Sequence, residues 1–248
     1  MTAWSTLEPG TPESSWLAWS AVREALPLEL GEVDRLVVVA PHPDDEVLGA
    51  AGLMRRATAE GRSIRILSVS DGEASHPGVP DARALAERRR RETGEALVRL
   101  GLDVEVLHLG LPDGRVDRHR TEVAVALAEL LGPGTMCVAP WRHDGHPDHE
   151  ASGAAAVAAT EATGATLVEY PVWAWHWATP GAGLPAAPLR RLDLTPDERA
   201  AKHHAIDAFE SQIHPLPESP DDPVVLPPAV LDRFRRAFEV HLVGSGCR

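Results

Sequence analysis

Residues 36–49 read LVVVAPHPDDEVLG, and the fold is decided there. Leu36, Val37, Val38 and Val39 form an unbroken apolar run, the pattern of a strand covered on both faces. A loop shaped by Pro41 and Pro43 follows and carries His42, Asp44, Asp45 and Glu46; from Val47 onward apolar residues return at helical spacing. Two like charges about 4 Å apart near a protein surface repel by roughly 4 kcal/mol at an effective dielectric of about 20, so three consecutive carboxylates need a positive neighbour. Acids in a first helical turn suit the macrodipole, but capping alone explains neither His42 nor the two prolines. The sharper reading is a divalent cation held by His42 and one aspartate, with the other aspartate free to move a proton.

Working outward, Val47 to Glu60 is expected to be a helix closed by Gly61, and Ile64 to Val69 a second buried strand. Strand, helix and strand in so short a span make a βαβ unit with parallel strands. No G-x-G-x-x-G run precedes Gly49 or Gly52, and acids occupy the place of a pyrophosphate, which argues against a dinucleotide site. The alternation continues with a helix over Asp81 to Leu100, a strand over Val104 to Leu109, a turn at Leu111 to Gly114, a helix over Thr121 to Leu131 and a strand over Met136 to Ala139. The expected class is therefore α/β, a mostly parallel sheet flanked by helices, with a smaller C-terminal subregion.

Upstream, residues 1 to about 15 read as a loose arm and Trp16 to Leu30 as a short helix. Downstream, Leu167 to Trp177 is expected to be extended, with Trp173, Trp175 and Trp177 on one face at period two. A linker over 178–188, a strand over Leu189 to Leu194 and a helix from Thr195-Pro196-Asp197-Glu198 to about Ser211 follow. Residues 214–228 read as a Pro-rich loop or lid, and Ala229 to Val240 as a last amphipathic helix. The division expected is an arm and short helix over 1–30, a main domain over 31–213, and 214–248 packed on that same domain.

The 248 residues are 44% hydrophobic and 25% charged, ordinary for a folded globular chain. A net charge of −13 argues against nucleic acid and against an anionic membrane surface, since both need a basic face. Cys137 and Cys247 cannot form a disulfide framework, the first residues lack a secretory pattern, and no apolar run approaches about 20 residues. A cytoplasmic setting is expected; homo-oligomer formation is left open.

A second loaded loop follows the fourth strand: Trp141-Arg142-His143-Asp144-Gly145-His146-Pro147-Asp148-His149. Ligands of an open parallel sheet collect at the carboxyl ends of its strands, so the two loops can meet across about 100 residues of sequence. A catalytic zinc keeps three protein ligands and one open position. His42, Asp45 and His149 supply them, one ion per chain. Asp44 is then the candidate general base, beside a water whose pKa zinc lowers to about 7. His146 is the candidate partner of the developing oxyanion and leaving amine, with Asp148 orienting it and keeping it protonated. His119 and His143 read as surface residues.

The runs Pro41-His42-Pro43-Asp44-Asp45-Glu46 and His146-Pro147-Asp148-His149 resemble the signature of the PIG-L/LmbE family of zinc-dependent N-deacetylases. Arg89 and Glu92 followed by Ala96 and Leu100-Gly101, the turn Leu109 to Gly114, and Lys202 with Ser211-Gln212 agree with it, so that the resemblance covers roughly residues 35–213. It implies a Rossmann-like fold and hydrolysis of an N-acetyl group from an amino-sugar glycoconjugate, N-acetylglucosaminyl above all. Carried over by position, it gives His42, Asp45 and His149 to zinc, Asp44 to the base, His146 and Asp148 to the tetrahedral intermediate, and Arg89 and Asp113 to polar groups of the substrate. Trp141, beside the metal loop, is a candidate for stacking on a sugar; the three alternating tryptophans could stack likewise or pack in a core or interface. The competing readings are an amidase acting on another small amide conjugate, a two-metal phosphoesterase, and a binding protein that has kept the scaffold.

Overall fold

Leu36 and Val38 pack into one hydrophobic core and Val37 and Val39 into another, all four fully buried, which is why this strand tolerates no polar residue. The computed structural model describes residues 5, 8–186 and 189–244. In chain order these form α1 (Glu13–Ala18), α2 (Ser20–Arg23), β1 (Leu26–Pro27), β2 (Arg35–Ala40), α3 (Asp45–Ala59), β3 (Ser63–Ser70), α4 (Ala82–Arg99) and β4 (Glu105–Leu111). A 3-10 turn over Val116–His119 leads to α5 (Arg120–Leu130), β5 (Thr135–Pro140), α6 (Pro147–Thr163), β6 (Thr166–Tyr170) and α7 (Ala174–Trp177). Then come β7 (Thr179–Pro180), β8 (Gly183–Leu184), β9 (Leu189–Asp193), α8 (Pro196–Ile206), α9 (Glu210–Ile213), α10 (Pro228–Leu231) and β10 (Phe238–Val243).

The main sheet has eight strands in the order β1-β9-β10-β6-β5-β2-β3-β4, while β7 and β8 form a small sheet of their own. All strands of the main sheet run parallel except β10, which is antiparallel to both β9 and β6. Helices α3, α4 and α8 cover one face, and α5 and α6 the other. The chain leaves β2 toward β3 and β4, then crosses to β5 and β6, so the carboxyl ends of β2 and β5 flank the point where strand order reverses. A Cβ on Gly49 would overlap the Tyr170 ring, whose hydroxyl donates to Val39 O at 2.6 Å; glycine there lets α3 settle on β6.

The parallel half follows the expected elements within a residue or two, and α8 starts on a full capping box between Thr195 and Glu198. The rest departs from expectation. Helix α8 ends at Ile206 rather than near Ser211, with α9 a separate turn. The extended run expected through Trp177 stops at Tyr170, because the Asp144 carboxylate accepts the N–H groups of Val172, Trp173 and Ala174 and winds the chain into α7. The three tryptophans therefore do not line one strand face at period two. Trp175 packs edge-on against Trp16, ring centroids 5.0 Å apart, beneath the Arg236 guanidinium, and Trp177 donates to Asp144 O at 2.7 Å.

The last helix expected over Ala229 to Val240 is only the single turn α10; Phe238–Val243 is instead a wholly buried strand. Its Glu239 accepts from Lys202 Nζ at 2.7 Å and from the N–H groups of Gly52 and Leu53, which makes burial of an acid tolerable. The helix expected over Trp16 to Leu30 is two turns broken at Trp19, followed by β1. The arm is pinned where it is described: Thr11 donates to Ala178 O at 2.5 Å, Arg233 donates to Thr11 O at 2.9 Å, and Glu13 pairs with Arg236 at 2.6 Å. Cys137 is a buried free thiol, and Cys247 lies outside the described residues. No helix among the described residues is long and apolar enough to cross a membrane.

Candidate functional site

Four neighbouring strands, β5, β2, β3 and β4, end along one rim, and the loops that leave them carry the chemistry. From β2 come His42, Asp44 and Asp45; from β5 come Asp144 and His146, leading into Asp148 and His149 on α6; β4 delivers Asp113. Helix α4 sends Arg89 back over the same rim.

Three atoms from the two motifs form a near-equilateral triangle. His42 Nδ1 lies 3.3 Å from Asp45 Oδ2, His149 Nε2 lies 3.2 Å from the same oxygen, and the two nitrogens are 3.3 Å apart. In a tetrahedral zinc site with bonds of ~2.0–2.1 Å, neighbouring ligand atoms are about 3.3–3.4 Å apart, so this set fits one face of such a site. The ring nitrogens of His42, His146 and His149 also cluster closely enough to share an ion, and the His146 ring centroid is 4.9 Å from those of both other histidines.

Negative charge surrounds the two buried imidazoles. Burial pulls the His149 pKa down, but Asp45 and Asp144 outweigh it and carry it up to about 9. His42 likewise loses to burial and gains more from Asp113, Asp148 and Asp45, ending well above the ordinary imidazole value. A field that favours an imidazolium equally favours a bound cation.

The base candidate is held from another element. Asp44, at the N-terminus of α3, has φ 126°, the one non-glycine residue in the left-handed half of the map among the described residues. Its Oδ2 accepts from Arg89 Nη2 at 3.0 Å, while Arg89 also donates to Gly72 O at 2.9 Å and Pro43 O at 2.7 Å. Burial, opposed by Arg89 and assisted by Asp45, raises the Asp44 pKa to about 7. Its neighbour Glu46 accepts the Asp44 N–H at 3.2 Å and is pushed up to about 8 by burial and by Asp44.

Several expected partners are differently engaged. Asp148 meets His146 only through its backbone N–H, which donates to His146 Nδ1 at 3.3 Å; its carboxylate accepts from Gly114 and Val116 N–H and faces His42 Nε2. With Nδ1 accepting, the proton of the neutral His146 ring belongs on Nε2. Burial, with His42 and His149 adding and Asp148 opposing, takes the His146 pKa down to about 3. Arg89 and Asp113, which the resemblance directs to substrate, contact Asp44 and His42. Trp141 is buried in the larger core and has no free face for a sugar. His143 is exposed and His119 pairs with Glu122 at 3.1 Å, both surface residues as expected.

Sequence reasoning passed over Asp144. Fully buried, it stands 2.9 Å from His149 Nδ1 and accepts three backbone N–H groups, fixing the ring from behind. A metal-ligating histidine almost always gives its other ring N–H to a carboxylate, a backbone carbonyl or a water, and the acid five residues ahead of His149 is the signal for such a partner.

The PIG-L family model, described as GlcNAc-PI de-N-acetylase, matches residues 37–160. A diacetylchitobiose deacetylase of Thermococcus kodakarensis is 28% identical over 144 residues, 55% of this chain and 54% of that protein. A 1D-myo-inositol 2-acetamido-2-deoxy-alpha-D-glucopyranoside deacetylase of Nocardioides sp. is 36% identical over 81 residues, 33% of this chain and 26% of that protein. The aligned stretches thus span about half the length of the first relative and about a quarter of the second. Among solved structures, the N,N'-diacetylchitobiose deacetylase of Pyrococcus horikoshii superposes with a TM-score of 0.59 at 21% identity, covering 82% of this chain and 80% of that one, a likeness of fold.

Proposed function

The chain belongs to the PIG-L family of metal-dependent N-deacetylases, hydrolases acting on amide bonds, and from that premise we propose that it removes the acetyl group from an N-acetylglucosaminyl glycoconjugate with one zinc ion per chain. The triangle of His42 Nδ1, Asp45 Oδ2 and His149 Nε2, with the Asp44 carboxylate alongside, carries this reading. Two imidazoles and a carboxylate are a donor set that zinc accepts. The deacetylases that share sequence with this chain act, by name, on diacetylchitobiose and on an inositol-linked acetamido sugar, which supports an acetamido-sugar substrate.

A zinc ion bound by these three residues would polarise the acetyl carbonyl and acidify the attacking water. Asp44 takes the proton from that water and returns it to the departing amine, a shuttle suited to a carboxyl group held near neutrality. Arg89 fixes the direction of the Asp44 carboxylate and holds its charge. His146, neutral, offers its Nε2–H to the oxygen on which negative charge develops, a preorganised donor rather than a proton source.

Acetate release across a panel of N-acetylglucosaminyl conjugates tests the proposal. The wild type is expected to turn over at least one of them, with Asp44→Asn slower by about 10²–10⁴-fold. Near wild-type turnover by Asp44→Asn would remove Asp44 as the base.

A further inference from the structure

Two carboxylates crowd one nitrogen of His42. Nε2 stands 3.2 Å from Asp113 Oδ1 and 3.2 Å from Asp148 Oδ2. Both acids are also anchored to backbone: Asp113 Oδ2 accepts the Ala74 N–H at 2.9 Å, Asp148 Oδ1 accepts Val116 N–H at 3.0 Å, and Asp148 Oδ2 accepts Gly114 N–H at 2.7 Å. Asp113 N–H in turn donates to Glu73 Oε1 at 3.0 Å. The turns after β3 and β4 and the first turn of α6 are therefore knit together around this single ring edge.

A neutral imidazole carries one ring proton, and acceptors on one side decide where it sits. Carboxylates face both ring nitrogens, Asp113 and Asp148 at Nε2 and Asp45 at Nδ1; with Nδ1 and Asp45 turned to a shared ion, the one ring proton belongs on Nε2, where two acceptors wait. We infer that Asp113 and Asp148 are positioning residues that set the His42 tautomer for metal binding, so that Asp113 serves the metal through His42. Outer carboxylates of this kind are worth about 10–100-fold in metal affinity. Asp113 is the informative one, because Asp148 also braces the 114–116 turn. The inference rests on His42 being a metal ligand, which zinc binding by the wild type reports separately.

The test is zinc affinity by chelator competition on the full chain, together with kinetics on zinc-saturated protein. Asp113→Asn is expected to weaken zinc binding by about 10–100-fold with KM unchanged, and Asp113→Glu to recover part of the affinity. Wild-type zinc affinity in Asp113→Asn together with a raised KM would overturn the inference and return Asp113 to the substrate. Long-range proton–nitrogen correlation spectra of the zinc-loaded wild type give a second readout that needs no variant: the His42 ring proton is expected on Nε2, and a proton on Nδ1 would overturn the assignment.

Discussion

Asp44 Oδ2 and Arg89 Nη2 are 3.0 Å apart, and both side chains are buried. The contact ties the loop after β2 to helix α4, and Arg89 spans it with two further donations to the carbonyls of Gly72 and Pro43. A positive charge beside the acid run was required by electrostatics alone, and Arg89 supplies it without a metal. The ion pair also fixes a carboxylate whose backbone sits at φ 126°.

Removing Arg89 leaves Asp44 buried without its counter-charge. Arg89→Met is expected to destabilise the protein by about 3–5 kcal/mol, as for other buried pairs broken on one side, and to lower turnover while zinc remains bound. Urea unfolding with metal analysis on the same sample reads both; unchanged stability would contradict the role given to this pair.

Gly72 makes room for the same guanidinium. It has φ 67°, and a Cβ there would overlap Arg89 Nη1. Gly72→Ala is expected to cost about 1–3 kcal/mol for the backbone alone and to displace Arg89, so that its loss of activity resembles that of Arg89→Met. The pair of variants, compared with the double variant, should be clearly non-additive.

The four central strands and both loaded loops were legible because each is local: an apolar run, then clustered ligands. What escaped depended on distant partners. Trp173, Trp175 and Trp177 mimic strand spacing, yet Asp144 holds the N–H groups that wind this segment into a helix. The helix expected over Ala229 to Val240 ran into Phe238–Val243, a strand whose buried Glu239 is made acceptable by Lys202 on another element. The substrate roles carried to Arg89 and Asp113 by resemblance said nothing of Asp44 and His42, which occupy those side chains here.

His241, wholly buried on β10, makes stability depend on pH. Burial above all, with Lys202 adding and Glu239 and the Gly49 backbone opposing, takes its pKa down to about 4. The unfolded ring, at about 6.5, binds the proton more readily. This contribution is therefore complete above pH about 6.5 and falls away as the pH drops toward 4, by about 3 kcal/mol in all. Unfolding free energies from pH 7 to 4 should show a shallower fall in His241→Leu than in the wild type; identical slopes would contradict it.

The account stands on one cation gripped jointly by the loops after β2 and β5, and zinc content per chain after dialysis measures that most directly. One ion is expected in the wild type, in Asp44→Asn and in His146→Ala, and none in Asp45→Ala or His149→Ala. Zinc retained by Asp45→Ala and lost from His146→Ala would contradict it, placing the metal on His42, His146 and His149 instead.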